Sequence, residues 1–472
     1  MQEQDVPLCV DLDGTLVHTD LLHESTLALL RRNPLYLLML PLWLLRGKAY
    51  LKHEIALRAQ PDVALLPYDA RVLDLLREAG DRRRVLCSAS DQRLVDAVAA
   101  HVGGFDLTLG SDGRTNLDGA VKAAALVAHF GERGFDYVGN AAPDLAVWSH
   151  AREAIVANAG SALVRRLRRD RAVARVLEPR PGIARAALHA LRPHQWSKNL
   201  LVFVAAIAAH RIFDPPAQQA TALAFVAFCL CASGAYVLND LFDLDADRRH
   251  PRKRTRPFAA GRVPIAAGLV GAPLLTLGAF AVALSLPRPF VFALLLYAAT
   301  TLAYSFALKR IVVVDVLVLA ALYTLRIVAG AVAIPVEASA WFLSFAVCLF
   351  LGLALVKRYE EVRRVAASDE TGVAGRGYLA AHLSAIGIAG IACSVIAVGV
   401  LGFYVDSTKS AALYARPHWL WLLLPLLAAW LARVWWLTRR GRMHDDPVVF
   451  ALTDLPSLAV LAGFVATVAM AA

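Results

Sequence analysis

Cysteine is scarce here and carries no pattern. Six occur in 472 residues. Cys9 and Cys87 fall in short apolar runs that read as buried strands, and Cys229, Cys231, Cys348 and Cys393 fall in long apolar spans. None has metal-site spacing or forms a disulfide framework, so small buried thiols of a reducing compartment are expected. The polar start, Met1 to Pro7, lacks a basic-then-apolar signal, so no signal peptide is expected and the first domain stays in the cytoplasm. No nucleic-acid recognition module is visible, so the net charge of +11 is not read as a nucleic-acid footprint. Charge is absent altogether from Gln219 to Leu238, a run long enough to cross a bilayer.

Apolar residues make up 58% of the chain, and they are distributed unevenly. Up to about Arg192 the chain reads as a soluble domain, and beyond it apolar runs dominate. In the first part, apolar runs at 6–12, 84–89, 136–139 and 154–157 alternate with helical patterns such as 117–130. This predicts an α/β domain, a Rossmann-like parallel sheet over residues 1–165, with a helical cap at about 20–78. Within the cap, the run from Asn33 to Leu45 is too short and too proline-broken to span, and reads as a helix touching the membrane surface. Residues 166–192 form an arginine-rich linker suited to anionic membrane lipids.

Residues 193–472 read as an all-α polytopic membrane domain. Nine candidate spans fall near 199–213, 219–239, 265–285, 289–306, 311–333, 341–356, 384–404, 418–437 and 450–471. Lys309-Arg310, Lys357-Arg358, Arg363-Arg364 and Arg439-Arg440-Arg442 all follow even-numbered spans. The positive-inside rule therefore places these loops, and every chemically loaded segment, on the cytoplasmic face of the cell membrane. Trp196, Trp341, Trp419 and Trp421 read as interface anchors.

The first uncharged run ends in Asn239-Asp240-Leu241-Phe242-Asp243-Leu244-Asp245-Ala246-Asp247. Asp240, Asp243 and Asp247 stand at i, i+3 and i+7, on one helical face, with Asp245 on the other. Carboxylates so close repel unless a cation sits among them, and hard oxygen ligands suit Mg²⁺ bridged to a phosphorylated substrate. Seven Lys/Arg follow at once, between Arg248 and Arg262, as expected of a loop that holds a metal-diphosphate. Asp315 and Arg326 are charges inside the fifth span, eleven residues apart on one face. Catalysis and structural pairing fit them equally.

A second cluster lies in the soluble part, at Asp11-Leu12-Asp13-Gly14-Thr15-Leu16 directly after a strand. One carboxylate can attack phosphorus while the other, two residues on, protonates the leaving oxygen. Ser88 offers a hydroxyl and Lys122 a positive charge to the phosphoryl group. Gly139-Asn140-Ala141-Ala142-Pro143-Asp144 would supply metal ligands.

This order of motifs resembles the haloacid dehalogenase superfamily of phosphatases. The resemblance implies Asp11 as nucleophile, Asp13 as acid/base, Ser88 and Lys122 on phosphate, and Asp11, Asp13, Asn140 and Asp144 around Mg²⁺. Asn140 departs from the family, which usually has Asp there. The membrane part resembles the UbiA prenyltransferase superfamily through Asn239-Asp240-x-x-Asp243-x-x-x-Asp247 at the end of the second span. Leu191 to Asn199, Pro251 to Gly261, Tyr304 to Lys309 and Lys357 to Arg363 narrow the likeness to its decaprenyl-phosphate phosphoribosyltransferase branch. That branch implies Mg²⁺-dependent transfer of phosphoribosyl from phosphoribosyl diphosphate to a polyprenyl phosphate. Asp240, Asp243 and Asp247 would then be catalytic metal ligands. Lys198, Asn239, Lys253, Arg254, Arg256, Tyr304, Lys309, Lys357, Arg358 and Glu361 would bind substrate. Each Lys or Arg alone reads equally as a membrane anchor; their joint arrangement does not. In place of the usual second acidic cluster stands Lys357-Arg358-Tyr359-Glu360-Glu361, whose cations suit two phosphorylated substrates. The fused domain would dephosphorylate the product. Two other functions share these features: prenyl transfer from a polyprenyl diphosphate to an aromatic or other apolar acceptor, and a non-catalytic transporter or lipid-binding protein.

Overall fold

The structure is a computed structural model and describes residues 6–170, 172–178, 182–367, 373, 376–443 and 446–472. Residues 1–5 of the polar start, and Arg171 and Arg180 of the arginine-rich stretch, lie outside the described residues. The chain divides into two compact units, Met1–Leu191 with Tyr236–Ala272, and Arg192–Ala235 with Pro273–Ala472.

The first unit is built on six parallel strands: β1 (Leu8–Val10), β2 (Arg84–Asp91), β3 (Leu107–Ser111), β4 (Asp136–Gly139), β5 (Ala154–Ala157) and β6 (Val173–Leu177). Their order across the sheet is β3-β2-β1-β4-β5-β6. Cys9 on β1 registers with Val85 on β2 and Tyr137 on β4. Alternate residues feed two cores, one through Leu8, Val10 and Leu86, the other through Cys9, Val85 and Cys87. Both faces are thus covered, which is why apolar residues dominate the inner strands, with Ser88, Ser90 and Asp91 at the carboxyl end of β2 and Asp136 opening β4. The parallel α/β expectation holds. The two strands absent from it, β3 and β6, are the sheet edges, where half-exposed residues replace the apolar run. β6 lies in the stretch read as a linker, with exposed Arg175 paired to Glu78 at 2.7 Å.

Helices α1 (Leu21–Arg32), α2 (Met39–Leu45), α3 (Lys48–Arg58) and α4 (Ala70–Glu78) form the insertion between β1 and β2. Asp20 caps α1, accepting from the Leu22 and His23 amides at 2.8 and 3.4 Å. Leu29, Trp43, Ile55 and Ala59 make a small core among these helices. Pro34 opens a separate 3₁₀ turn ahead of α2, so the apolar run is two short pieces, with most of its leucines exposed. The remaining helices of the sheet region are α5 (Gln92–Val102), α6 (Gly119–Phe130), α7 (Asp144–His150), α8 (Ser161–Asp170) and α9 (Ile183–Ala190).

From Arg192 onward the described chain is helical. A 3₁₀ segment, Pro193–Phe203, leads to α10 (Val204–Ala208), α11 (Pro215–Phe242), α12 (Leu244–Arg249), α13 (Ile265–Ala283), α14 (Arg288–Phe306) and α15 (Val314–Ala333). Then come α16 (Ala340–Ala366), α17 (Leu383–Val405), α18 (Thr408–Leu413), α19 (Leu423–Arg439), α20 (Pro447–Thr453) and α21 (Leu455–Ala471). Among the described residues seven helices are long and apolar enough to cross a membrane; α20 and α21, bent by 79°, would make an eighth. Such a chain is a multi-pass membrane protein.

The nine expected spans are reduced at two places. The first, 199–213, is the 3₁₀ segment and the five-residue α10. Its polar Asn199 accepts from Arg326 Nε on α15 at 2.9 Å, and a Cβ on Gly330 would overlap the Val202 carbonyl. This backbone packs tightly against α15, which only glycine at 330 permits. The last span breaks where Asp454 caps α21 and Pro456 lacks the amide that would continue α20. One span is longer than expected: α16 runs to Ala366, so Lys357–Glu361 is helix and not loop. The pairs Arg358–Glu361 and Arg363–Glu360, three residues apart, hold those turns together.

Candidate active sites

In the first unit the chemistry gathers at the carboxyl end of β1, where parallel sheets bind ligands. Gly14, at φ +75°, lets the chain turn after Asp13, and a Cβ there would collide with the Asn140 amide. Buried Lys122 on α6 donates to Asp11 Oδ1 at 2.7 Å and lies 3.7 Å from Asp144 Oδ1. Tyr137 on β4 donates to Asp144 Oδ1 at 2.6 Å. The Asn140 and Ala141 amides each donate to Asp144 Oδ2 at 2.9 Å, which shapes the turn after β4. Ser88 and Ser90 donate to Asp13 Oδ2 at 2.9 and 2.8 Å, and the Leu21 amide to its other oxygen at 2.8 Å.

Burial pushes the Asp11 carboxyl up to about 7, against the opposing pull of Lys122. Burial also raises the Asp13 carboxyl, and the nearby Asp20 charge adds to it. The sequence-predicted Asp11, Asp13, Ser88, Lys122, Asn140 and Asp144 therefore meet in one place. Asp11, Asp13, Asn140 and Asp144 line a common cavity with Lys52 of α3. Lys52 is anchored to the Ala89 carbonyl at 2.6 Å and Asn116 Oδ1 at 2.8 Å. Lys52, Ser90 and Tyr137 were not legible as site residues, because only tertiary contacts bring them in.

The second site is the turn joining α11 to α12. Asp240 and Asp247 are buried, and both receive Arg256 Nη1, at 3.2 and 2.7 Å. Arg256 draws these two carboxylates to one point; the single helical face expected from their spacing is interrupted, because the helix breaks at Asp243. Asp243 is half-buried at the break between the helices, where its carbonyl still accepts the Asp247 amide at 2.8 Å. Burial pushes Asp247 above the usual carboxylate range, opposed by Arg256. Asn239 is half-buried one residue ahead of the cluster, and Lys253 and Arg254 are exposed in a 3₁₀ turn beyond it. Asp245, on the other face, pairs with Arg31.

Among the described residues no three His, Cys, Asp or Glu converge into a protein cage for a metal. Mg²⁺ does not need one: it binds through one or two carboxylates plus water and substrate oxygens. Two acidic side chains facing one point fit that pattern at Asp240 and Asp247. In the first site Asp11, Asp13 and Asp144 are hard donors around one cavity.

The other predicted cations lie in the second unit. Lys198 pairs with Asp446, and Lys357 stands 3.9 Å from the same carboxylate. Burial works against that charge, but the two lysines hold Asp446 below the usual range. Lys309 is half-buried in the 3₁₀ turn after α14. Arg358 is buried and donates to Asp315, Glu361 and Tyr304. Arg376 joins them, 2.7 Å from Asp315 and 3.4 Å from Glu361. Asp315 and Arg326 do not pair with each other; Arg326 donates instead to Asn199 and Tyr297, both at 2.9 Å. Asp446 and Arg376 had no sequence signal, because each acquires its place only through distant partners.

Residues 200–455 match the profile of the UbiA prenyltransferase family. Over 462 residues the chain is 38% identical to y4nM, an uncharacterized protein of Sinorhizobium fredii, covering 96% of this chain and 89% of that one. It is 36% identical over 213 residues to decaprenyl-phosphate phosphoribosyltransferase of Mycobacterium tuberculosis, covering 44% of this chain and 70% of that enzyme. Among solved structures, a UbiA homolog from Archaeoglobus fulgidus bound to GPP and Mg²⁺ superposes with a TM-score of 0.46 at 17% identity, over 60% of this chain and 99% of that one. A profile spanning more than half the chain, and containing the Asp240–Asp247 turn, places this protein in the UbiA prenyltransferase family.

Proposed function

We propose that this protein transfers 5-phosphoribosyl from phosphoribosyl diphosphate to a polyprenyl phosphate and releases diphosphate. A phosphate oxygen of the lipid attacks the anomeric carbon as the bond to diphosphate breaks. The observation that carries the reading is cationic. Where prenyl-diphosphate enzymes of the family have a second acidic cluster, this chain has Lys357, which shares Asp446 with Lys198. Two lysines on one carboxylate leave a net positive charge, suited to a second phosphorylated substrate. The likeness to decaprenyl-phosphate phosphoribosyltransferase supports the same choice.

Asp240, Asp243 and Asp247 would hold Mg²⁺, which when bound neutralises charge building on the departing diphosphate. Lys253, Arg254 and Arg256 would bind phosphate oxygens, and Asn239 and Lys309 would also bind substrate. Arg358 and Glu361, joined with Tyr304 to Asp315, position Lys357 on α16. The basic residues in the loops after α14, α16 and α19 support a cytoplasmic face for these sites. In the fused domain Asp11 attacks phosphorus and Asp13 serves the leaving oxygen, so that domain is a phosphohydrolase that dephosphorylates the product. Asn140 would help hold Mg²⁺ there, with less charge than the Asp usual at that position.

Incubation with labelled phosphoribosyl diphosphate, polyprenyl phosphate and Mg²⁺ should label the lipid. The family profile itself favours a second reading, prenyl transfer from a polyprenyl diphosphate to an apolar acceptor. Consumption of the prenyl donor in place of the ribosyl donor would establish that reading instead.

A further inference from the structure

The cavity over Asp11 and Asp13 has about 470 Å³ and two unlike walls. One is the catalytic end of the sheet. The other includes Pro264, Ile265 and Ala266, where α13 begins. α13 is one of the seven membrane-length helices, so its first turn belongs at a membrane face. Residues leading into it are fastened to the cap. Arg248 makes two hydrogen bonds to Glu24, at 2.6 and 3.1 Å, and Arg31 pairs with Asp245. At Gly261, φ +64°, a Cβ would lie 2.7 Å from His18 Cβ. The cavity is thereby held at the start of α13.

The cap carries a second, independent observation. Leu35, Leu37, Leu38, Leu42, Leu44 and Leu45 are 51–84% exposed within twelve residues that bury only Trp43. Arg32, Arg46 and Lys48 flank them and are exposed. A contiguous apolar patch rimmed by cations suits the surface of an anionic bilayer. A membrane helix in the wall and a membrane-seeking patch on the cap both serve a substrate that does not leave the lipid.

We infer that the Asp11 site hydrolyses a phosphomonoester anchored in the bilayer, the headgroup phosphate of a lipid, with the leucine patch of the cap resting on the membrane. The inference rests on the phosphohydrolase reading of Asp11. An Asp11 oxygen attacks phosphorus, the bond from phosphorus to the ester oxygen breaks, and Asp13 gives that oxygen a proton. Water, losing its proton to Asp13, then splits the aspartyl phosphate to inorganic phosphate and free Asp11. The lipid alcohol stays in the bilayer.

The test uses the full chain in phosphatidylcholine–phosphatidylglycerol vesicles and three esters: polyprenyl-linked ribose phosphate, phosphatidic acid and water-soluble p-nitrophenyl phosphate. Phosphate release should be fastest from one of the two lipids, and which one identifies the headgroup. Leu38→Glu with Leu45→Glu should lower kcat/KM for that lipid by about tenfold or more, since two leucines leave apolar contact. The soluble ester should be turned over as before, which also shows that the variant folds. Preference for the soluble ester, or equal loss on all three in the double variant, overturns the inference while leaving the phosphohydrolase intact. No phosphate from any ester with the wild type overturns the phosphohydrolase reading and the inference together.

Discussion

Asp69 shows how much of the first site rests on a residue that does no chemistry. It accepts from Arg71 Nη2 at 2.6 Å and Asn158 Nδ2 at 2.9 Å, and Asn158 donates onward to the Gly14 carbonyl at 3.2 Å. Burial alone would raise its carboxyl; those hydrogen bonds outweigh it and bring it from 3.8 to about 2. A folded-state value below the unfolded one adds stability that is present above pH 3.8 and lost as pH falls through about 2. Asp69→Asn should therefore cost about 1–3 kcal/mol near neutral pH, the penalty of disrupting a buried network. Thermal unfolding of the full chain in detergent should show that deficit shrinking as the medium is acidified through that window. The carboxylates proposed to react should behave differently. Asp240→Asn should cut lipid labelling by about 10²–10³-fold with little change in unfolding temperature. Asp11→Asn should abolish phosphate release and spare lipid labelling, as product analysis of the two variants would show.

At the scale of elements, buried ion pairs and close backbone contacts set the arrangement. Glu24 and Arg248 are nearly inaccessible to solvent, and removing one leaves the other charged and buried. Glu24→Ala should cost about 3–5 kcal/mol and the Glu24→Ala, Arg248→Ala pair less than the sum, as a double-mutant cycle on unfolding would measure. Gly330→Ala should lower the unfolding temperature by several degrees, because a methyl there meets the Val202 carbonyl. These contacts also explain what the sequence could show. The inner strands β1, β2, β4 and β5 were legible because they are buried on both faces and each carries a short apolar run. The edge strands β3 and β6 were not, since Arg175 and Thr108 interrupt their pattern. Asp11, Asp13 and Asp240–Asp247 were legible because each motif is local, a few residues around one turn. Lys52, Tyr137, Arg376 and Asp446 were invisible because their roles come from partners far away in the chain. Lys357–Glu361 read as a loop because its charge density masked a helix that ion pairs sustain.

At the scale of the whole molecule, the two compact units do not follow the division between soluble and membrane sequence. Tyr236–Ala272, with the Asp240–Asp247 turn and the first residues of α13, belongs to the same unit as the parallel sheet. The Asp240–Asp247 turn and the Asp11 site thus belong to one compact unit. The measurement that tests this account most directly is a single incubation with phosphoribosyl diphosphate labelled in both the ribose and its phosphate ester, polyprenyl phosphate and Mg²⁺. The expected result is ribose label in the lipid and released ester phosphate with the wild type, lipid carrying both labels with Asp11→Asn, and neither lipid label with Asp240→Asn. A wild type that leaves the ribosyl donor intact while consuming polyprenyl diphosphate would contradict it.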